Sequence, residues 1–175
     1  MMRKVEVTAY NPDWRFKFQS EAELIKGVFK EEILYIYHIG STSIPGLAAK
    51  PVIDMMPVVK NIEQADRLSG EMISLGYEPR GENGLSGRRY FQKGGNQRTH
   101  HVHVYEKGHP DILRHLAFRD YLRSNQEEAD QYGRLKMELS KQFPIDIDAY
   151  IKGKEALVKE IEMKAIKWYK KEALN

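Results

Sequence analysis

The 175-residue sequence predicts an α+β fold on three observations. Up to about residue 108, apolar runs rich in β-branched and aromatic residues alternate with segments of helical period. That stretch contains a strand–turn–strand unit and a glycine-turned hairpin. From Pro110 onward the helical period takes over with hardly a strand signal. The chain therefore reads as an α/β core, residues 1–108, and a helical part, residues 109–175, packed on it as one unit.

Taken in order, Val5–Tyr10 ("VEVTAY") alternates weakly and reads as an edge strand. Asn11 and Pro12 then open a helix: Asn caps, and Pro suits the first helical position. Trp14, Phe18, Ile25 and Phe29 recur at helical spacing as far as Lys30. "ILYIYHI", Ile33–Ile39, is a strand. "GSTSIPGLAAK" is a turn with one helical turn in it, and "PVIDMMPVV" is a second strand whose Pro57 belongs at a bulge or the strand end.

Asn61 caps a helix whose apolar face is Ala65, Leu68, Met72 and Leu75, and Gly76 ends it. "RRYFQK" and "THHVHVYE" form a hairpin that turns at Gly94-Gly95-Asn96. Three helices follow, in "PDILRHLAFRDYLR", "NQEEADQYGRLKMELSKQF" and "DAYIKGKEALVKEIEMKAIKWYKK", with Pro144 between the second and third.

Composition narrows the chemistry. There is no cysteine, which removes disulfides, thiolate zinc sites and thiol nucleophiles, and fits a reducing cytoplasm. No apolar h-region opens the chain and no run approaches the roughly 20 apolar residues of a membrane span, so the expectation is a cytoplasmic protein without a membrane partner. Net charge is only +3. Arg88, Arg89, Lys93 and Arg98 form a local basic run interleaved only by Tyr90 and Phe91, and this argues against nucleic acid as the partner. Such a run reads as a solvated hairpin or as an anion-facing surface. Nothing in the sequence decides the oligomeric state.

Three features carry chemistry. Gly40 ends a strand and lets the backbone turn tightly, while Ser41, Thr42 and Ser43 bring hydroxyls and backbone N–H groups that suit a phosphate. The alternative is an ordinary Ser/Thr-rich turn. Asp54 interrupts an apolar strand; a buried carboxylate needs a partner, and Lys50 or the Ser/Thr turn would serve structurally. Alternation puts Met56 on the face of Asp54, where a metal-dependent phosphoryl-transfer site would want a second acid. On the last core strand, His101 and His103 share a face about 7 Å apart, a spacing that fits a two-point metal clamp, a phosphate grip or an exposed pair. Position 105 is Tyr, so no alternating third histidine follows. His109 and His115 read as surface or helix-start residues without a role.

The segments "AYNPDW", "HIGSTSIPGLAAKPVID", "RRYF", "HVHVYEKG", "FRDYLR", the Tyr132–Leu135–Lys136 pattern and "YIKGKEALV" together resemble the GrpB-like family, small bacterial proteins of the nucleotidyltransferase-fold superfamily. The resemblance spans nearly the whole chain. It implies a nucleotidyltransferase-like mixed sheet with flanking helices, followed by a C-terminal helical part. The superfamily pattern is a Gly-Ser turn, about a dozen residues, an acid-x-acid strand, and a further acid on another strand. Gly40-Ser41 and Asp54 match by position; Met56 departs from the second acid, and His101 or His103 would stand in for the third.

Two function classes follow. In the enzymatic one, the protein transfers a nucleotidyl group with a divalent metal, magnesium, manganese or zinc, held by Asp54 with His101 or His103. Asp54 and His103 are then catalytic. Gly40, Ser41, Thr42 and Ser43 bind phosphate, and Lys50, Arg88, Arg89 and Arg119 neutralise its charge. Arg119, Tyr132 and Lys136 could close the cleft, although salt bridging and helix packing are the preferred roles for Tyr132 and Lys136. In the second class the protein is an inactive module that binds a nucleotide or other phosphorylated small molecule and lacks the second acid.

Overall fold

The computed structural model describes residues 3–173. Helix α1 spans Asp13–Phe29 and starts where expected: Asn11 Oδ1 accepts from the Asp13 N–H at 2.9 Å. Strands β1 (Ile33–Ile39) and β2 (Ile53–Val59) flank the Gly-Ser turn, which carries one 3-10 turn at Ser41–Ser43. Two short helices, α2 (Glu63–Arg67) and α3 (Ser69–Ser74), replace the single helix expected there, and the break falls at Leu68. A three-residue strand, β3 (Tyr77–Pro79), then joins the hairpin of β4 (Arg88–Lys93) and β5 (His100–Glu106).

The five strands make one mixed sheet in the order β1-β2-β5-β4-β3. Only β2 and β5 run parallel; every other pair is antiparallel. This topology places β2 and β5 side by side at the centre, with Asp54 directly opposite His101. Pro57 lies within β2 and not at its end. It sits one residue before the register irregularity where Val58 and Val59 face Tyr35 and Ile33. The expected N-terminal edge strand does not form. Val5–Tyr10 makes a single bridge, Thr8 to Ala49, and the Val5 N–H donates to the Pro144 carbonyl, so the segment lies across the helical part and not along the sheet.

Side-chain alternation gives the sheet two different faces. Ile53, Met55 and Val59 point to one face with Val102, Val104 and Phe91, and the helix α1 closes it with Trp14, Ala22, Ile25 and Phe29. Each such aliphatic or aromatic side chain, fully buried, stabilises by about 1.5–3 kcal/mol. The opposite face carries Asp54, Met56, His101, His103 and Tyr105, and helix α4 (Pro110–Ser124) lies over part of it. Helices α5 (Gln126–Gln142) and α6 (Ile147–Ala173) pack with α4. Ile44 and Leu47, from the loop after the Gly-Ser turn, insert among Leu122, Ala129, Tyr132 and Ile161, tying that loop to the helical part.

Candidate functional site

Gly40 has φ +72°, a conformation open mainly to glycine. Its second requirement is space: a Cβ there would stand 2.8 Å from Asp54 Oδ2 and 3.1 Å from Asp54 Cβ. The turn thus passes directly against the lone acid, as the spacing of the two in sequence suggested.

The turn is braced from three sides. His38 Nε2 and Thr42 Oγ1 are hydrogen-bonded at 2.9 Å, and the Ser43 hydroxyl donates to the Gly40 carbonyl. From α4, Arg123 donates to the Ser43 carbonyl from Nε and Nη2 at 3.0 and 2.7 Å, and Arg119 donates to the His38 carbonyl at 3.2 Å. Burial pushes the His38 imidazole down to about 4, so it stays neutral. Thr42 and Ser43 are buried and hold the turn together, so their hydroxyls are not offered to a ligand as expected. Ser41 is half-buried, and its hydroxyl makes no hydrogen bond among the described residues, leaving it as the available one.

At Asp54, one carboxylate oxygen gathers both histidines. His103 Nε2 donates to Oδ1 at 3.1 Å, and His101 Nδ1 lies 3.5 Å from the same atom. Burial alone would raise the Asp54 pKa, but the hydrogen bonds from His101 and His103 outweigh it and hold the carboxyl well below the usual carboxylate range. Tyr90 closes the group, with ring centroids 5.7 Å from His101 and 5.3 Å from His103. His101 Nε2 and His103 Nδ1 are buried without a hydrogen-bond partner among the described residues.

Helix α4 adds a residue that sequence reasoning passed over. His115 is neither a surface residue nor a helix start: its ring lies 5.5 Å from His103, and its Nε2 is 3.3 Å from both Tyr105 OH and Arg114 Nη2. A guanidinium only donates, so Nε2 accepts and His115 is neutral. Burial, aided by His103 and Arg114, pushes it down to about 3. Its placement one residue before Leu116, on the face with Ile112, was the available signal. His109, by contrast, is a helix-start residue as read: its Nδ1 accepts from the Asp111 N–H and caps α4.

Met56 shares the face of Asp54 but is wholly buried with Ile39 and Tyr105 against Ile112 and Leu116 of α4. The position that a second acid would occupy is therefore core. Among the described residues, no group of three or more His, Asp or Glu side chains is disposed to hold a metal ion. At Asp54 the reason is visible, since both imidazoles close on one oxygen and a cation would have to displace those contacts. The mixed nitrogen and oxygen donors suit zinc or manganese better than magnesium.

The predicted cations separate. Lys50 stays near the site, within reach of the Asp54 charge; burial and the neighbouring Lys154 and Arg3 bring its pKa down to about 8. Arg89 points to the other face of the sheet and makes a bidentate pair with Asp66 at 2.7 and 3.2 Å. Arg88 turns to the Glu82 and Asn83 carbonyls, opposite Tyr105 at the far end of β5. Arg119 is held by Asp120 and the His38 carbonyl, so it supports the turn from behind. Lys93 is paired with Glu21 and Arg98 with Gln92, so the basic run of the hairpin is dispersed into local contacts. Two cavities, of about 400 Å³ beside Gly46–Ala48 and α5 and about 610 Å³ between α1 and His100, lie outside the Asp54 group.

A mixed sheet with a Gly-Ser turn set against an acid on the neighbouring strand defines a protein of nucleotidyltransferase-like fold. The solved Cid1 poly(U) polymerase bound to MgATP shares that fold: it aligns over 79% of this chain and 46% of its own, with a TM-score of 0.54 at 12% identity. The family model described as GrpB protein matches residues 4–164, and the chain belongs to the GrpB family. The crystal structure of conserved protein GrpB from Enterococcus faecalis aligns with a TM-score of 0.91 and 50% identity, over 94% of this chain and 99% of that one. The UPF0157 protein YqkA of Bacillus subtilis is 53% identical over 168 residues, which is 96% of this chain. The chain spans about half (49%) of the length of YqkA. No helix among the described residues is long and apolar enough to cross a membrane.

Proposed function

We propose that this protein binds a nucleotide or another phosphorylated small molecule at the Gly40–Ser41 turn and Asp54, and does not run two-cation nucleotidyl transfer. The observation that carries this reading is Met56. Two-metal chemistry bridges cations about 3.5–4 Å apart with shared carboxylates. Here the second position is a methionine sealed beneath α4, and the remaining acid is engaged by His101 and His103. The turn itself is suited to phosphate: glycine allows close approach, Ser41 keeps a free hydroxyl, and Lys50 adds positive charge.

A second reading rests on Asp54, His101 and His103 standing together. In it one zinc or manganese ion displaces the contacts of the two imidazoles with Asp54 Oδ1, and would supply charge neutralisation beside a bound phosphate.

Thermal unfolding with ATP, CTP, GTP and coenzyme A, each with and without magnesium, manganese or zinc, separates the two. A ligand at 100 times its dissociation constant stabilises by about 2.7 kcal/mol. Nucleotide stabilisation that persists in chelator supports the binding module. Cation-dependent turnover abolished in a folded Asp54→Ala variant would establish the second reading. Absence of any shift sinks both.

A further inference from the structure

We infer that Lys136, Lys154 and Lys50, with the Tyr150 hydroxyl, form a pocket for a phosphate-type oxyanion where α5 and α6 meet the loop that follows the Gly-Ser turn. This goes beyond the reading at Asp54, with which it shares Lys50 alone.

Lys136 carries the inference. It is 1% exposed, and its Nζ has no hydrogen-bond partner among the described residues. Lysine is almost never buried this far unless it is paired. Helix packing explains the residue's stem but not its head. Among the described residues no salt bridge reaches Lys136, and its ammonium lies over the Tyr132 ring, 4.4 Å from the centroid.

The surroundings are built for an anion. Tyr150 is fully buried and its hydroxyl is also without a partner among the described residues. Lys50 and Lys154 stand 5.1 and 5.2 Å from the Tyr150 ring centroid. Both are half-buried, while Lys136 is closed off from solvent. The charges that act on Lys136 are those of Lys154 and Lys50, and both have its own sign. Burial together with these neighbours drives its pKa well below the ordinary lysine value.

Three neighbouring lysines, one of them orphaned, and an orphaned phenol hydroxyl are an arrangement that one multiply charged oxyanion resolves. It would accept from Nζ of Lys136 and from the Tyr150 hydroxyl while offsetting the mutual repulsion of the lysines. A carboxylate offers fewer acceptors and less charge, so a phosphate or pyrophosphate group is the better match. The group would be either free in solution or esterified in a nucleotide.

Isothermal titration with inorganic pyrophosphate and, separately, with ATP and AMP tests the pocket. Wild type is expected to bind pyrophosphate, and Lys136→Met to bind it at least ~10-fold more weakly. Lys136→Met replaces a buried unpaired amine by a side chain of similar shape, so it should fold at least as stably as wild type. Lys154→Gln, at a half-buried position, is expected to give a second loss of binding. Lys159→Gln, on the exposed side of α6, is expected to leave pyrophosphate binding intact. Pyrophosphate binding in wild type with none for ATP assigns the pocket to a free oxyanion; binding of both, weakened together by Lys136→Met, assigns it to an esterified one. No binding of pyrophosphate, or unchanged binding in folded Lys136→Met and Lys154→Gln, overturns the inference. If pyrophosphate binding is lost in Asp54→Asn but unchanged in Lys136→Met, this pocket falls while the site at Asp54 stands.

Discussion

The Cα of Gly40 faces the Asp54 carboxylate so closely that a single methyl group on it would stand 2.8 Å from Asp54 Oδ2. The turn and the acid are one unit, joined by a contact that only the smallest residue permits. Gly40→Ala combines a strained positive φ with this clash, and is expected to destabilise by about 1–3 kcal/mol in urea unfolding. Combining it with Asp54→Ala removes the contact with Oδ2 and leaves only the one with Cβ at 3.1 Å, so the double variant should cost less than the sum of the two single ones. Strict additivity would contradict the contact.

Met56→Asp restores the acid-x-acid pattern in sequence but places an unpaired carboxylate under Ile112 and Leu116. The expected loss is at least about 3 kcal/mol, measured by the denaturation midpoint. Gain of magnesium-dependent nucleotidyl transfer without loss of stability would show that position 56 is open to a ligand.

Arg123 holds the Ser43 carbonyl with two guanidinium nitrogens, a fork that lysine lacks. Arg123→Lys should lose about 1–2 kcal/mol of stability. It should also weaken nucleotide binding, because the Gly40–Ser41 backbone loses its brace. Calorimetry on the folded variant reads both effects.

His38 gives stability a defined dependence on pH. Its imidazole is neutral in the fold, with its pKa pushed down from 6.5 to about 4 by burial, while the unfolded chain protonates near 6.5. The contribution is fully present above 6.5 and falls as pH drops toward 4, where His38 alone costs the native state about 3 kcal/mol. His38→Gln keeps a partner for Thr42 without titrating. It is expected to flatten the stability profile between pH 6.5 and 4, and an unchanged slope would contradict the assignment.

Much of this molecule was legible in local pattern. The limits of β1 agree to the residue, the hairpin turns at its glycines, and the three late helices lie where their period put them. Pairing across 41 residues, from Thr8 to Ala49, was invisible, so the N-terminal segment read as a strand. The 61–76 helix kept its cap and its stop but broke at Leu68, and β3 was too short to show a period.

The candidate site divides in the same way. The sequence by itself determined that a glycine-bearing turn precedes a lone acid, that Met56 stands on the acid's face, and that His101 and His103 share one face of a later strand. These are properties of backbone period and of spacing along the chain. Only the tertiary structure decided that β2 and β5 are neighbours, which brings His103 to Asp54 across 49 residues. It also turned Arg89 to Asp66 on the far face, buried Met56 beneath α4, and left Lys136 among cations with no acid partner among the described residues. Whether a charge is paired, buried or free depends on side chains dozens of residues away, and period in a sequence carries no record of them.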